Sequence, residues 1–230
     1  MCSSRLKTST GPGVSISLSL HRPSSTMPKS SANQSQPIYF WRESDSHTGW
    51  LSQWYYCPFK DDKNPELIYE TAEHYMMYQK AILFNDHATA AQIIQPGLHP
   101  RKIKALGRQV ADFSEATWNA NREAIVRRGN HLKFTNAVTE EGFCLGTPSG
   151  SGIPLVRGSL RETLLGTGER ELVEASPFDR IWGVGFKPAD AEANRRRWGL
   201  NLLGKALMDV RAMLREENES QVQEESFEDE

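Results

Sequence analysis

The chain has 230 residues, three of them cysteine, and a formal net charge of −2. A chain of that length forms one or two domains, and its near-neutral charge excludes the general basic surface with which many proteins coat nucleic acid. Three cysteines without metal-ligand spacing make no disulfide framework, and no apolar run approaches the roughly 20 residues that span a membrane. We therefore expect a reducing compartment and no structural metal, cofactor or membrane partner.

Both ends of the chain differ in composition from its middle. Residues 1–36 are rich in Ser, Thr and Pro and carry four basic residues but no acidic one, whereas residues 216–230 carry eight acidic residues and no basic one. Neither segment has the apolar content that offsets the entropy of ordering a chain, so we expect two disordered tails around one domain at residues 37–215. The basic, Ser-rich start is also similar to an organellar transit peptide. A cytoplasmic location is expected, with nuclear and organellar locations left open.

The predicted domain begins with a strand pattern and an aromatic window. Residues 38–41 are dense in β-favouring side chains. Residues 50–59 contain five aromatic residues, which form either a wedge in the core or a stacking surface for a ligand. The composition of the window leaves both alternatives open.

Residues 66–84 form the central helical pattern, with Asn64 as the predicted N-cap and Pro65 in the first turn. At about 3.6 residues per turn, Glu73 and Lys80 lie on one line whose other members are apolar or aromatic. A carboxylate and an ammonium placed there are either partly desolvated groups with pKa values tuned for chemistry, or two charges at the rim of the core.

The rest of the chain is mostly helical in pattern, with Asp86, Ser114 and Ser159 as predicted N-caps. A Gly-, Pro- and Ser-rich stretch at residues 142–158 predicts a surface loop. We expect an α+β fold, predominantly α-helical, in a single domain with a few short strands. The further predicted elements are helices at 87–95, 101–106, 115–134, 160–165, 189–197 and 202–214, and a strand at 171–175.

Other residues could carry chemistry, and each has a structural alternative. Trp118 serves either as a stacking platform or as a core residue. Asp179 is either a catalytic acid or the cap of a loop, and Gly183 follows it in a weak phosphate-loop pattern. Asn201 stands before a helix, where it either meets an anion or acts as the N-cap.

Short motifs follow one another in order along most of the chain. They are Leu51-Ser52-Gln53-Trp54-Tyr55, Thr71-Ala72-Glu73-His74-Tyr75, Gln79-Lys80-Ala81, Leu106-Gly107-Arg108, Trp118, Lys133-Phe134, Leu164-Leu165-Gly166-Thr167-Gly168, Leu172-Val173-Glu174-Ala175-Ser176-Pro177, Asp179 with Trp182-Gly183-Val184-Gly185, Trp198-Gly199-Leu200-Asn201-Leu202-Leu203-Gly204, Leu207-Met208 and Arg211. This ordered set, over about residues 39–214, resembles the NADAR family, also called YbiA-like. The order of the motifs is specific, although no single motif is decisive.

The resemblance implies a mainly helical α+β domain that cleaves N-glycosidic bonds. Proteins of this family act on ribosylamino-pyrimidine phosphates of riboflavin biosynthesis, or remove ADP-ribose from guanine bases of nucleic acid. The expected partner is an ADP-ribose-type or ribosyl-phosphate substrate, with ADP-ribosylated nucleic acid as one form of it. Carried over by position, the catalytic residues are Glu73, Lys80 and Asp179, and the substrate-binding residues are Trp118, Arg108, Trp182, Gly183 and Asn201.

These residue types fit the chemistry that the resemblance implies. Cleavage of a ribose C1′–N bond builds positive charge at C1′, which a carboxylate stabilises. Glu73 or Asp179 would supply this carboxylate, and the other would activate water or handle the proton of the leaving group. Trp118 would stack on the base or the ribose, and Lys80, with its pKa lowered by burial, would attack an opened ribose.

Two features depart from the family pattern. Gln53 stands where the family usually has Asn, which affects base recognition, and the loop at residues 142–158 is unusually long. Three functions stay open on the sequence. They are removal of ADP-ribose from a modified base, hydrolysis of a ribosylamino-pyrimidine phosphate, and non-catalytic binding of NAD or ADP-ribose.

Overall fold

A computed structural model describes residues 36–138 and 159–228. Residues 1–35 of the expected N-terminal tail and the predicted loop at 142–158 lie outside the described residues. The expected mainly helical α+β class is confirmed, and all described residues belong to one compact unit. The elements are β1 (Ile38–Phe40), a 3₁₀ turn (Gly49–Leu51), β2 (Phe59–Lys60), β3 (Ile68–Tyr69), α1 (Ala72–Leu83), α2 (His87–Ile93), α3 (Pro100–Gly107), α4 (Glu115–Thr135), α5 (Leu160–Leu165), β4 (Leu172–Glu174), α6 (Pro188–Ala191), a second 3₁₀ segment (Glu192–Arg197) and α7 (Leu202–Glu228).

The central helix α1 is shorter than the sequence pattern predicted. Its N-cap is Thr71, whose side chain accepts a hydrogen bond from the His74 N–H, so the predicted start after Asn64 is wrong. Asn64 closes a turn instead, because its carbonyl accepts from the Leu67 N–H at 3.0 Å. Tyr69 then pairs with Phe59 in an antiparallel two-stranded sheet, and both rings are fully buried. Burying these rings favours strand over helix before Thr71.

Local capping signals place the other helix starts correctly. Asp86, Ser114 and Ser159 each accept a hydrogen bond from the backbone N–H three residues later. Such a bond satisfies one of the four N–H groups that a helix leaves unpaired at its start. These three predicted N-caps are therefore confirmed.

Helix α1 is the centre of the packing, with α2, α3 and α4 against it, and α7 packs against α4. The glycine in the middle of α4 belongs to this arrangement. A Cβ at Gly129 would lie 2.4 Å from a ring carbon of Tyr75, so only glycine lets the Tyr75 ring of α1 lie directly against the backbone of α4.

A second two-stranded sheet joins distant parts of the chain. Strand β1 pairs in parallel with β4, with Phe40 opposite Glu174. The flanking helix α7 packs on β4, and Gly204 permits this contact, because a Cβ there would lie 2.1 Å from the Leu172 carbonyl oxygen. The carboxyl end of β4 is thereby fixed next to α1 and α3, at the cavity described below.

Helix α7 continues far beyond its predicted end. The acidic segment that was expected to be disordered from residue 216 is helical as far as Glu228, so that expectation is wrong over this range. The segment after Gly204 contains no Gly or Pro to stop the helix. Glu217 also contacts His131 at 2.7 Å and Arg161 at 3.0 Å. Among residues 36–138 and 159–228, no helix is both long and apolar enough to cross a membrane.

Candidate active site

A cavity of about 1040 Å³ opens where α1, α3 and the start of α4 meet the carboxyl end of β4. Its wall is completed by residues 41–44, by residues 52–54 and by the loop that follows β4. The sequence-predicted site residues in its lining are Glu73, Lys80, Arg108, Trp118, Asp179 and Trp182.

Glu73 lies on the floor of this cavity and is only 3% exposed. Burial raises the pKa of its carboxyl group to about 7, and the charge of Asp179 adds to the rise, whereas Lys104, Arg108 and a hydrogen bond from Trp54 oppose it. Its Oε1 atom has no hydrogen-bond partner among the described residues. Glu73 is therefore a buried carboxyl group that exchanges its proton near neutral pH.

Lys80 lies two turns further along α1 and lines the same cavity. Its Nζ donates to the Gly107 carbonyl at 2.7 Å rather than to Glu73, and it sits 4.2 Å from the centre of the Phe113 ring and 5.5 Å from that of Trp118. Burial lowers the pKa of Lys80, and the positive charge of Arg108 lowers it further. Of the two alternatives that the sequence left for Glu73 and Lys80, the structure therefore favours desolvated groups with shifted pKa values over two charges at the rim of the core.

Asp179 caps its loop and also lines the cavity. Its Oδ1 accepts hydrogen bonds from the N–H groups of Ile181 and Trp182, at 2.9 and 2.8 Å, so it does cap the loop. The same side chain lines the cavity. The loop cap thus fixes the direction of a cavity carboxylate.

The aromatic alternatives are resolved residue by residue. Trp118 and Trp182 are half-buried; each lines the cavity on one side and packs against the core on the other. In the window at residues 50–59, Trp50 and Tyr55 are core residues, whereas Trp54 lines the cavity. The window therefore contributes residues both to the core and to the wall of the cavity.

Gly183 and Asn201 are absent from the lining of the cavity. A Cβ at Gly183 would lie 2.6 Å from the carbonyl oxygen of Glu174. The Asn201 side chain accepts from the Glu174 N–H at 3.0 Å and donates to the Leu172 carbonyl at 2.9 Å. These two residues therefore hold the backbone at the end of β4. Asn201 also takes the N-cap position of α7, since its carbonyl accepts from the Lys205 N–H at 3.0 Å, whereas substrate contact by either residue stays a prediction.

Glu174 is the site residue that the sequence reasoning missed. Its side chain lines the cavity, and its Oε2 is shielded without a hydrogen-bond partner in the described part of the chain. Burial raises its pKa to about 8, with Asp179 and Glu73 adding to the rise and Lys104 opposing it. The available signal was a carboxylate that ends a short apolar strand, since ligand crevices lie at the carboxyl ends of parallel strands.

Cations surround these acidic groups. The cavity is lined by Arg42, Lys80, Arg101, Lys104, Arg108 and Arg180. Because Glu73 and Glu174 carry raised pKa values, part of the acidic charge is neutralised near pH 7. The field in the cavity consequently favours an anionic ligand such as a phosphate ester. No group of three or more metal-ligating side chains occurs within residues 36–138 and 159–228.

Gln53, the departure from the family pattern, supports Glu73 through its backbone. Its carbonyl accepts from the Glu73 N–H at 3.0 Å, while its side-chain Oε1 accepts from Asn130 at 3.2 Å. Gln53 is 8% exposed and lines the cavity. Asn130 of α4 thus supplies a buried partner for the oxygen of the longer amide.

The sequence and the fold match known proteins. The model of the NADAR domain matches residues 39–215. The chain is 37% identical to N-glycosidase R617 of Acanthamoeba polyphaga mimivirus, over 70% of this chain and 85% of the relative. It is 32% identical to N-glycosidase Npun_R5314 of Nostoc punctiforme, over 65% of this chain and 77% of the relative. The NMR structure of the E. coli protein YbiA superposes with a TM-score of 0.55 at 25% identity, covering 80% of this chain and 88% of YbiA. The chain therefore belongs to the NADAR family.

Proposed function

We propose that this chain removes ADP-ribose from a modified nucleobase, in particular guanine, by hydrolysing the bond between ribose C1′ and a base nitrogen. Cleavage of an N-glycosidic bond is the activity in the names of two relatives, and we assign the chain to the N-glycosyl hydrolases with them. The observation that carries the proposal is the gathering of Glu73, Asp179 and Lys80 around one cavity with a cationic lining.

The two carboxylates divide the work according to their surroundings. Asp179 is held by two backbone N–H groups. We assign it the role of stabilising the positive charge that develops at C1′, because a carboxylate in a fixed position needs no reorganisation during the reaction. Glu73 has a pKa of about 7, and we assign it to water activation, because a general base works best when its pKa lies near the working pH.

The size and charge of the cavity favour ADP-ribose over a smaller ribosyl phosphate. A cavity of about 1040 Å³ holds a ligand larger than a mononucleotide. Arg108 and Lys104 lie in its wall, where they can pair with a diphosphate. Trp118 and Trp54 offer aromatic faces for the base and the adenine.

Lys80 supports a covalent variant of the same reaction. Its lowered pKa gives a larger fraction of free amine than an exposed lysine has, and that amine can attack C1′ of the ring-opened substrate. The C1′–N bond to the base then breaks, the base leaves with a proton, and an imine remains between C1′ and Lys80 until water hydrolyses it and releases ADP-ribose. Borohydride added during turnover would reduce the resulting imine and leave a stable adduct on Lys80. An adduct that persists in a Lys80→Met variant would contradict this assignment.

The deciding experiment offers the purified chain two substrates in parallel, an oligonucleotide with ADP-ribosylated guanine and a ribosylamino-pyrimidine phosphate. We expect release of ADP-ribose from the first at a rate at least tenfold above the release of ribose phosphate from the second. The Glu73→Gln variant serves as the matched control. Preferential hydrolysis of the pyrimidine compound would favour the riboflavin-type activity, and tight binding without release would favour a non-catalytic module.

A further inference from the structure

Glu174 is a carboxyl group of the cavity to which the proposed reaction gives no role. Glu174 lines the cavity next to Glu73 and Asp179, and its Oε2 is buried with no hydrogen-bond partner among the residues that the structure describes. Leaving a buried polar atom unpaired costs stability, which is more readily explained by a task in catalysis than by a structural one.

The backbone of Glu174 is held from two sides. Its N–H donates to the Asn201 side chain at 3.0 Å, and its carbonyl accepts from the Val184 N–H at 2.9 Å. Gly183 lets the following loop approach, because a Cβ there would lie 2.6 Å from the Glu174 carbonyl oxygen. Asn201 itself adopts a positive φ of 52°, a strained conformation that its two side-chain hydrogen bonds offset. Asn201, Val184 and Gly183 thus fix the backbone of one residue.

We propose that Glu174 is the general acid that protonates the leaving nitrogen, and that Asn201 and Gly183 are positioning residues that act through it. This inference rests on the proposed N-glycosidase function. It assigns the leaving-group proton, which neither Asp179 nor Glu73 carries in the division of roles above.

The surroundings of Glu174 favour its neutral form at physiological pH. The charged groups that face it are Glu73 from α1, Asp179 from the loop after β4 and Lys104 from α3. Two of these three are acids, and neighbouring carboxylates in a shielded site do not all ionise together. The arrangement keeps a proton available at Glu174, whereas Asp179, oriented by backbone N–H groups, serves as the fixed carboxylate.

The proposed step balances as an acid-catalysed hydrolysis. The C1′–N bond breaks with its electron pair going to nitrogen, while that nitrogen takes the proton from Glu174. Water, deprotonated by Glu73, supplies the oxygen that bonds to C1′. The products are ADP-ribose and the free base, and transfer of the proton from Glu73 through solvent to Glu174 restores both groups.

The test compares pH profiles of turnover for the parent, Glu174→Gln and Glu174→Asp, with Glu171→Gln as the matched control. Glu171 lies three residues earlier and pairs with Arg195 instead of lining the cavity. In the parent, turnover of the ADP-ribosylated guanine oligonucleotide should fall above about pH 8. Glu174→Gln should lower turnover by roughly 10²–10⁴ and abolish this alkaline fall, whereas Glu174→Asp and Glu171→Gln should retain it.

A second substrate separates proton donation from mere positioning. Methylation of the guanine at N7 makes the ring cationic, so it leaves without being protonated. The deficit of Glu174→Gln should then shrink at least tenfold, while an Asn201→Ala variant should lose turnover on guanine with little change in KM. An equal deficit on both substrates, or parent-like turnover with the alkaline fall intact, would overturn the role of Glu174. A parent that cleaves neither substrate would overturn the proposed function together with this inference.

Discussion

Two regions of the molecule shield ionisable groups from solvent in opposite ways. Beneath the turn at Gly49–Leu51, Lys133 is fully buried, and its Nζ donates to the carbonyls of Trp50 and Ser52 at 2.7 and 3.1 Å. In the cavity, Glu73 and Glu174 each keep a shielded oxygen that has no partner in the described residues. The buried lysine is therefore hydrogen-bonded, whereas each of the two cavity carboxyl groups keeps one shielded oxygen unpaired.

This difference separates a structural ion from a reactive one. A buried charge with good hydrogen bonds fixes the chain around it, and its removal leaves the partners unpaired. A buried group without partners costs stability in the resting protein, and it persists where it serves chemistry. Substitutions in the cavity should consequently change turnover, and substitutions in the Lys133 cluster should change stability.

The largest expected effect is the loss of turnover in Glu73→Gln. The amide keeps the size of the side chain but cannot take a proton from water, so turnover should fall by roughly 10²–10⁴. Because the folded pKa of Glu73 lies near 7, above its ordinary value of 4.5, the folded state holds its proton more tightly and loses stability as pH rises through that window. The variant should therefore be more stable than the parent above pH 7, by a margin on the order of 3 kcal/mol.

Chemical denaturation at pH 5 and pH 8, beside initial rates, measures both effects. The gain in unfolding free energy should be present at pH 8 and small at pH 5. A Glu73→Gln protein with parent-like turnover would remove Glu73 from the mechanism, and one that is destabilised at pH 8 would break the comparison between the two regions.

Two tryptophans sharpen the same comparison. Trp50 is 5% exposed and its indole donates to the His47 carbonyl at 3.0 Å, so Trp50→Ala should cost about 3–5 kcal/mol of stability. Trp118 is half-buried in the cavity wall, and Trp118→Ala should raise KM by roughly 5- to 150-fold, the loss of one stacked base. Thermal unfolding and steady-state kinetics on both variants give the answer. A large loss of stability with unchanged KM in Trp118→Ala would mean that Trp118 is a core residue and not a stacking platform.

The two lysines form the most closely matched pair. Lys133→Met should lower stability by roughly 2–4 kcal/mol, because two buried carbonyls lose their donor. Lys80→Met keeps the stem of a half-buried side chain, so stability should move by less than about 1 kcal/mol while turnover falls at least roughly 10²-fold. Denaturant midpoints and rates per folded molecule distinguish them. Normal stability with abolished turnover in Lys133→Met would mean that Lys133, too, belongs to the site.

The sequence predicted those features of the fold that depend on neighbouring residues. Side-chain caps such as Asp86 and Ser114 fix helix starts locally, so they could be read directly. The start of α1 could not, because Asn64 and Pro65 give an equally good local signal. The pairing of Tyr69 with Phe59 overrides that signal, and this pairing depends on tertiary packing.

The same division holds within the site. Glu73 and Asp179 could be named from the residues and the resemblance, and both line the cavity. Glu174 was missed because its direction depends on the pairing of β4 with β1, far away in the chain. The contacts of Gly183 and Asn201 with the Glu174 backbone could not be predicted, because they arise only after the loop and α7 pack on β4.

The smallest expected effect concerns the C-terminal part of α7, which is absent from the lining of the cavity. Glu217 bridges His131 and Arg161, and its side chain is 36% exposed. Exposed ion pairs contribute little and are screened by salt, so Glu217→Ala should cost up to about 1 kcal/mol at low ionic strength and less in 1 M salt, with turnover unchanged. Glu219→Ala, an exposed acid on the same helix, is the control and should leave stability at the parent value. Thermal unfolding of both variants at two salt concentrations measures the bridge. A loss of turnover in Glu217→Ala would couple the C-terminal part of α7 to the cavity and contradict a purely structural role of this ion pair.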